Sequence, residues 1–441
     1  MGFGTGQCER SAQSGAAVRP RIPVPGSRCP WRAEPPVATP WQAVADLATM
    51  PRVPAVPAVG TGRRAAWLGY AGFYLCSFAV LGVYLQFLPV WLHVEQGFDE
   101  KHIAVILSAQ TISRTIAGPL WSQRVDQFGD PRRILGWLAA GALLAFTLFA
   151  LASTLLSAFA VAFLFGCLYP PMHPIADAAA VRAAAAAGFS FGRLRVVGSG
   201  SFLVVILLAG LWIERAGAGL VFPILVALLS ATAVAAWFVP RGERVRPAAP
   251  GERAPLAALF RSGPFVLLLV AAAMIQGSHA AYYQLSTVHW TAHGIEEGAA
   301  AALWAEGVLA EIALLFGAQR LLGRLRPTTL LSLGALGAAV RWSILASTTS
   351  LPVLFASNWL HALSFAATYL GAIRAVEKRV PVGRRATAQG LVGAATSGGG
   401  MVLGGLVGGY AYDACGGGAF WFMAGFAGLG FGLVLWLRGY R

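Results

Sequence analysis

Beyond residue 65 the chain alternates between apolar runs of about 20 residues and short polar clusters. A run of that length crosses a ~30 Å hydrocarbon core as an α-helix, which satisfies its own backbone N–H and C=O groups where no water is available. The runs fall near 66–92, 102–123, 133–152, 156–181, 195–213, 217–238, 263–290, 299–319, 328–348, 352–375, 387–411 and 418–437. They predict an all-α membrane protein with twelve transmembrane helices.

Residues 1–65 follow a different rule. They hold ten of the 25 prolines, with stretches such as Pro51-Arg-Val-Pro-Ala-Val-Pro57, and cannot sustain a helix. No apolar core followed by a small-residue cleavage site is present, so the segment reads as a disordered Pro/Arg-rich tail and not as a secretory signal. Met50 lies shortly before the first apolar run, so an accessory tail and a later translation start both fit.

Composition agrees with a membrane protein. Hydrophobic residues make up 57% of the chain, charged residues only 12%, and the mean hydropathy is +0.65. A soluble globular protein carries about 25% charged residues, so that class is excluded, along with disordered, coiled-coil and disulfide-rich chains. The five cysteines form no CxxC pair, and Cys76 and Cys167 lie inside apolar runs. Neither a metal site nor a redox centre is expected, and no cofactor.

The net charge of +15 changes the picture only through its distribution. Lys101 and Lys378 are the only lysines among 33 basic residues, and the arginines recur between apolar runs instead of forming one patch. Alternate loops, beginning with the one holding Arg124, Arg132 and Arg133, carry 19 basic residues. The opposite set carries two, Lys101 and Arg215, against seven acids including Asp99, Glu100, Glu296 and Glu297. Under the positive-inside rule this asymmetry puts both termini on the cytoplasmic side of a bacterial inner membrane, and it speaks against a nucleic-acid partner.

The longest of the basic loops, 239–262, divides the chain into a first six-helix bundle, 66–238, and a second, 263–441. Two near-equal halves joined by a cytoplasmic linker are the layout of a transporter with pseudo-twofold halves. Glycines 400, 404 and 408, with 405 and 409, recur at four-residue spacing and allow close helix contact.

Ionisable residues inside the runs are the candidate chemistry. A charge at mid-bilayer costs roughly 2.5–3.5 kcal/mol even on the lenient insertion scale, so each needs a partner or a function. Arg114 lies eleven residues after Ile103, Arg341 thirteen into the ninth run, and Glu306 and Glu311 share the eighth. Asp177 lies late in the fourth run, Arg195 opens the fifth, and His279 and His361 lie within the seventh and tenth. They could line a polar cavity or lock helices together as buried ion pairs. Glu306 and Glu311 are five residues apart, about 140° around a helix, so only one faces a cavity squarely. Tyr282, Tyr283 and Trp304 could stack on a ligand or simply pack.

Some motifs are missing. No glycine precedes either lysine, which removes a Walker A loop, and there is no HExxH. The chain is therefore not expected to be an enzyme or an ATP-driven pump. A proton gradient suits buried acids and histidines, because an ionised carboxylate in hydrocarbon is costly and protonation removes that cost.

Three segments carry a family resemblance. Ser122-Gln-Arg-Val-Asp126-Gln-Phe-Gly129 with Arg132-Arg133 is similar to the loop signature after the second helix in the major facilitator superfamily. It differs in Ser122, where glycine is usual, and in an insertion before the arginines. Phe191-Gly-Arg-Leu-Arg195-Val-Val-Gly198-Ser199 and Gln276-Gly-Ser-His-Ala-Ala-Tyr-Tyr283 resemble, within that superfamily, the branch of the 3-phenylpropionate transporters and, more distantly, lactose permease.

The resemblance implies alternating access, with Asp126, Gly129, Arg132 and Arg133 in the conformational loop. It also implies a substrate site that includes Asp177, Arg195 and Arg341, with His361 in coupling. The glutamate that carries the proton in lactose permease, three residues after the histidine, is Ser364 here; Glu311 is the replacement candidate.

The resulting expectation is a monomeric proton symporter in the lipid bilayer for a small organic acid such as 3-phenylpropionate. Arg114, Asp177, Arg195, Tyr282, Tyr283 and Arg341 would bind substrate, and Glu311, His279 and His361 would handle the proton. A sugar or nucleoside symporter and a drug exporter are the alternatives, with a membrane enzyme or receptor as different classes.

Overall fold

The computed structural model describes residues 62–128, 130–241, 257–317, 324–381 and 385–440. All of them belong to one compact unit, Ala55–Arg441. Residues 1–61 of the expected tail lie outside the described residues, as do 242–256 of the expected linker, whose end holds a helical turn, Ala257–Phe260.

Helices follow one another in the expected order. The first group comprises α1 (Arg63–Val94), α2 (Glu100–Phe128), α3 (Pro131–Thr147), α4 in two pieces (Leu155–Leu168 and Met172–Ala187), α5 (Phe191–Ala216) and α6 (Val221–Ala236). The second comprises α7 (Gly263–Gly277 and Ala280–Ala292), α8 (Glu297–Gly317), α9 (Pro327–Ser347) and α10 (Leu351–Asn358 and Thr368–Arg379). It ends with α11 (Arg385–Gly393 and Met401–Cys415) and α12 (Ala419–Gly439). No strand occurs among the described residues.

Local chemistry sets the boundaries. Asp130 accepts the Arg132 backbone N–H, and Pro131 occupies the first turn of α3, where its missing N–H costs nothing. Thr154 and Ser157 exchange hydrogen bonds in a capping box that starts α4. Pro170 and Pro171 lie between its two pieces, and Gly188, at φ +71°, closes the second. Two boundaries differ from the sequence reading. α1 begins at Arg63 instead of 66, because a helix can extend past its apolar run into water with charged residues. α5 begins at Phe191, so Arg195 lies in its second turn instead of opening it.

Among the described residues, eight stretches are long and apolar enough to cross a membrane: Arg63–Val94, Pro131–Leu151, Leu155–Ala187, Phe191–Ala216, Ala218–Ala236, Gly263–Ala292, Pro327–Ser347 and Thr387–Gly439. The last contains two helices in succession, α11 and α12. Helices α2, α8 and α10 fall outside that measure, so length and hydropathy alone do not give all twelve expected crossings. These three carry Arg114, the pair Glu306 and Glu311, and the irregular segment around His361.

The outer surface is apolar where a soluble protein would be polar. Trp137 on α3, Trp212 on α5 and Trp436 on α12 are all more than half exposed, as are Leu144 and Leu429. This suits a surface solvated by lipid tails. Inside the first group, α1 packs on α5 and α6, α2 on α4, and α3 on α6. In the second, α9 packs on α12 and α10, and α7 on α12 and α11. The groups meet where α2 packs on α11, α5 on α8, and α1 on α7.

Glycines bring α7 and α11 together. A Cβ on Gly404 would collide with the Gly277 carbonyl, and one on Gly408 would lie 2.7 Å from the Ala281 Cβ. Gly409 on the neighbouring stripe faces Ala104 of α2. The four-residue glycine spacing therefore serves packing, both within the second group and between the groups.

Candidate substrate and coupling site

Arg341, on α9, is completely buried, an expensive position for a guanidinium unless every side of it is answered. One face is covered by the Tyr282 ring, 4.1 Å from the guanidinium carbon, with Trp342 at 4.7 Å. Its Nη2 donates to Asn358 Oδ1 at 2.7 Å, and its Nη1 to His361 Nδ1 at 2.8 Å. The Nε has no hydrogen-bond partner among the described residues.

Arginine offers no acceptor, so His361 Nδ1 must accept, which puts the imidazole proton on Nε2. That nitrogen lies 2.6 Å from Glu311 Oε1 on α8. Guanidinium, imidazole and carboxylate thus form one hydrogen-bonded line from α9 through α10 to α8. The other eighth-helix acid, Glu306, holds a buried Oε2 with no partner among the described residues.

Aromatic rings complete the surroundings. Tyr282 stacks on Trp304 with centroids 5.2 Å apart, and Tyr283 lies 5.7 Å from Trp304. His279 Nδ1 donates to the Ile275 carbonyl at 3.1 Å, leaving Nε2 to accept from the Ser364 hydroxyl at 3.0 Å. Its ring stands edge-on to Trp342 at 5.0 Å and 5.6 Å from that of His361.

A second polar cluster forms in the first group. Asp177 Oδ1 accepts the Tyr74 hydroxyl at 2.5 Å and faces Arg195 Nη1 at 3.3 Å. The Arg195 guanidinium lies 4.8 Å from the Phe78 ring centre. Both charged side chains are more than a third exposed, unlike Arg341.

Arg114 joins neither cluster. Its guanidinium donates to the Ser397 carbonyl of α11, and so ties the first group to the second. Ser397 lies in a π-type winding, Ala394–Gly400, and such windings displace carbonyls from the regular helix ladder. α10 has a similar winding, Ala362–Ala367, directly after His361.

Of the expected conformational loop, Gly129 and the Asp126 side chain lie outside the described residues. Arg133 pairs with Asp130 at 3.5 Å, and Arg132 has a buried Nε without a partner among the described residues.

Where α2 begins, at the mouth of the bundle, Lys101 bonds Asp413 of α11 at 3.1 Å and Asp99 at 3.3 Å. These carboxylates, Asp413 first, push the Lys101 ammonium above its ordinary range. Burial works to raise the Asp99 carboxyl, but the His102 backbone N–H and Lys101 outweigh it and hold it below its usual value.

Four residues of these clusters were not singled out from the sequence: Asn358, Tyr74, Phe78 and Trp342. Asn358 is the informative omission. It is a polar side chain within an apolar run, and its Nδ2 also donates to the Leu303 carbonyl at 2.5 Å, which fixes its oxygen toward Arg341. Its place inside an apolar run was a signal of the kind used for the charged residues.

An all-helical membrane bundle with charged residues buried between its helices is the build of a secondary transporter. The chain belongs to the MFS_1 like family, whose profile matches residues 67–423. It is a multi-pass membrane transporter of the major facilitator type, not an enzyme.

Among curated proteins it is 28% identical over 366 residues to a probable 3-phenylpropionic acid transporter of Escherichia coli (strain K12), covering 81% of this chain and 94% of that protein. It is 29% identical over 347 residues to a maltose permease of Geobacillus stearothermophilus, covering 77% and 86%. Among solved structures, nucleoside transporter NupG superposes with a TM-score of 0.74 at 17% identity, covering 85% of this chain and 98% of that one. The POT family transporter PepTSo gives 0.66 at 12% identity, covering 86% and 98%. At those identities the structural likeness concerns the fold alone.

Proposed function

We propose that this transporter carries a small organic acid of the 3-phenylpropionate type into the cell together with a proton. The two six-helix groups, 66–238 and 263–441, would rock about a central site, with linker 239–262 and both termini on the cytoplasmic side of the inner membrane. The observation that carries the reading is the line Arg341–His361–Glu311, with Tyr282 and Trp304 against its cationic end.

Charge balance gives the coupling. Arg341 and an ionised Glu311 neutralise each other through His361. A substrate carboxylate arriving at Arg341 adds a negative charge that low-dielectric surroundings penalise. Protonating Glu311 restores neutrality, so substrate and proton each favour the binding of the other, as linkage requires. The acid takes the guanidinium in a two-point fork, using the unpartnered Nε and an Nη that His361 or Asn358 gives up. The apolar body of the substrate lies on the aromatic rings. The curated relative described as a probable 3-phenylpropionic acid transporter supports this substrate class.

A specific observation favours a second reading. Asp177 and Arg195, each more than a third exposed, form with the buried Tyr74 a polar group suited to hydroxyls, and the maltose permease relative points to a sugar.

Uptake into proteoliposomes under an inward proton gradient separates the two. Labelled 3-phenylpropionate should accumulate, with uptake reduced by Arg341→Gln more than by Asp177→Asn. Accumulation of maltose or a nucleoside that collapses in Asp177→Asn, with no acid carried, would overturn the first reading in favour of the second.

A further inference from the structure

Away from the central polar clusters, the second group holds a cavity of about 780 Å³ where four helix ends converge. The starts of α7 and α9 and the ends of α10 and α12 surround it. Arg326, Lys378, Arg379 and Arg438 line it, and among the described residues no acidic side chain does. Among the described residues, little of this donor capacity is used. One Arg379 N–H goes to the Leu437 carbonyl at 3.2 Å, and one Arg438 N–H to the Thr328 carbonyl at 3.4 Å. Each guanidinium has five N–H donors, so most remain available.

Four like charges gathered around one space favour an anion within it, while the positive ends of α7 and α9 there are offset by the negative ends of α10 and α12. The surroundings indicate the kind of anion. The cavity lies at the end of the bundle that carries the basic loops, where the positive-inside rule expects the anionic leaflet. Directly along the same helices the surface turns apolar and exposed, with Leu336 and Val340 on α9 and Leu435 and Trp436 on α12. A ligand held in the cavity by its phosphate could lay acyl chains along these side chains.

We propose that this cavity binds the phosphate headgroup of an anionic phospholipid of the phosphatidylglycerol or cardiolipin class. The bound lipid would brace the ends of α7, α9, α10 and α12 against one another.

The test uses the purified, delipidated full chain, with lipid binding read by native mass spectrometry and thermal stability by a melting assay in detergent. Cardiolipin and phosphatidylglycerol should bind and raise the melting temperature, while phosphatidylcholine and millimolar inorganic phosphate should not. Arg326→Gln combined with Arg438→Gln should weaken cardiolipin binding at least tenfold. Lys378→Gln, at an exposed side chain, should weaken it severalfold and carries the test if the double variant misfolds. Undiminished binding in these variants, or equal binding of phosphatidylcholine, would overturn the proposal. A full stabilising response to inorganic phosphate would reassign the cavity to a soluble phosphate compound.

Discussion

His361 Nε2 lies 2.6 Å from Glu311 Oε1, joining α10 to α8 through the same imidazole that accepts from Arg341. A charge change at the carboxylate is therefore felt at the guanidinium through one ring. In the proposed mechanism that ring is the physical link between proton and substrate.

Glu311→Gln removes the titrating group and keeps an acceptor for His361. Accumulation driven by a pH gradient should disappear, while exchange of preloaded substrate continues at a reduced rate. Measuring both in one proteoliposome preparation checks this. Normal gradient-driven uptake would move the proton role to Glu306 or a histidine.

Arg341→Lys should not rescue function. An ammonium cannot serve His361 and Asn358 as a planar fork or lie flat on Tyr282. Uptake should fall at least about tenfold, since a partly desolvated charge-assisted contact is worth about 1.5–3 kcal/mol. An initial-rate series comparing lysine and glutamine at this position reads the difference.

Asn358→Ala leaves the Arg341 Nη2 and the Leu303 carbonyl without their partner. Losing a buried hydrogen-bond partner costs about 1–3 kcal/mol, so a lower melting temperature is expected together with weaker substrate binding. Adding Arg341→Gln should then cost less than in the wild type, a coupling that a double-mutant cycle measures directly.

Gly404→Ala places a methyl against the Gly277 backbone, which cannot swing aside as a side chain can. Overpacking of this kind costs about 1–3 kcal/mol and should lower the yield of folded protein. Gly428→Ala, whose new carbon would meet no atom within 4 Å beyond its own stretch of helix, should be silent or slightly stabilising. Fluorescence-detected gel filtration of the two variants makes the comparison.

The Lys101 contact with Asp99 and Asp413 should depend on pH in a defined direction. Asp99 is held below its ordinary range, so its contribution is present above the unfolded-state value and fades as pH falls through the lower folded one. Lys101 is raised, so its contribution is complete below its unfolded value and fades only as alkali passes the higher folded one. The contact therefore holds across neutral pH and weakens in acid. A Lys101→Met variant should lose less melting temperature than the wild type when both are acidified.

Much of the architecture was legible from the sequence because lipid imposes a simple rule: about 20 apolar residues per crossing, with basic residues between crossings. The observed helices follow the apolar runs in order, and the glycine stripe on α11 packs as its spacing suggested. The rule falls short at α2, α8 and α10, where polar residues lower the apolar signal.

The sequence alone also identified residues with a cost to explain, Arg341, Glu311, His361, Asp177 and Arg195 among them, because a charge in hydrocarbon is conspicuous whatever surrounds it. It could not assign their partners. Arg341 and Asn358 are 17 residues apart, and Tyr74 and Asp177 are 103 apart. Such pairings depend on how helices rotate and cross, and on the π windings that re-aim α10 and α11. Hydropathy sets which segments enter the membrane, whereas the rotation of each helix about its own axis follows from side-chain packing between segments distant in sequence. Only the tertiary structure therefore decided that Glu311 meets His361, that His361 meets Arg341, and that Arg114 reaches across to α11 instead.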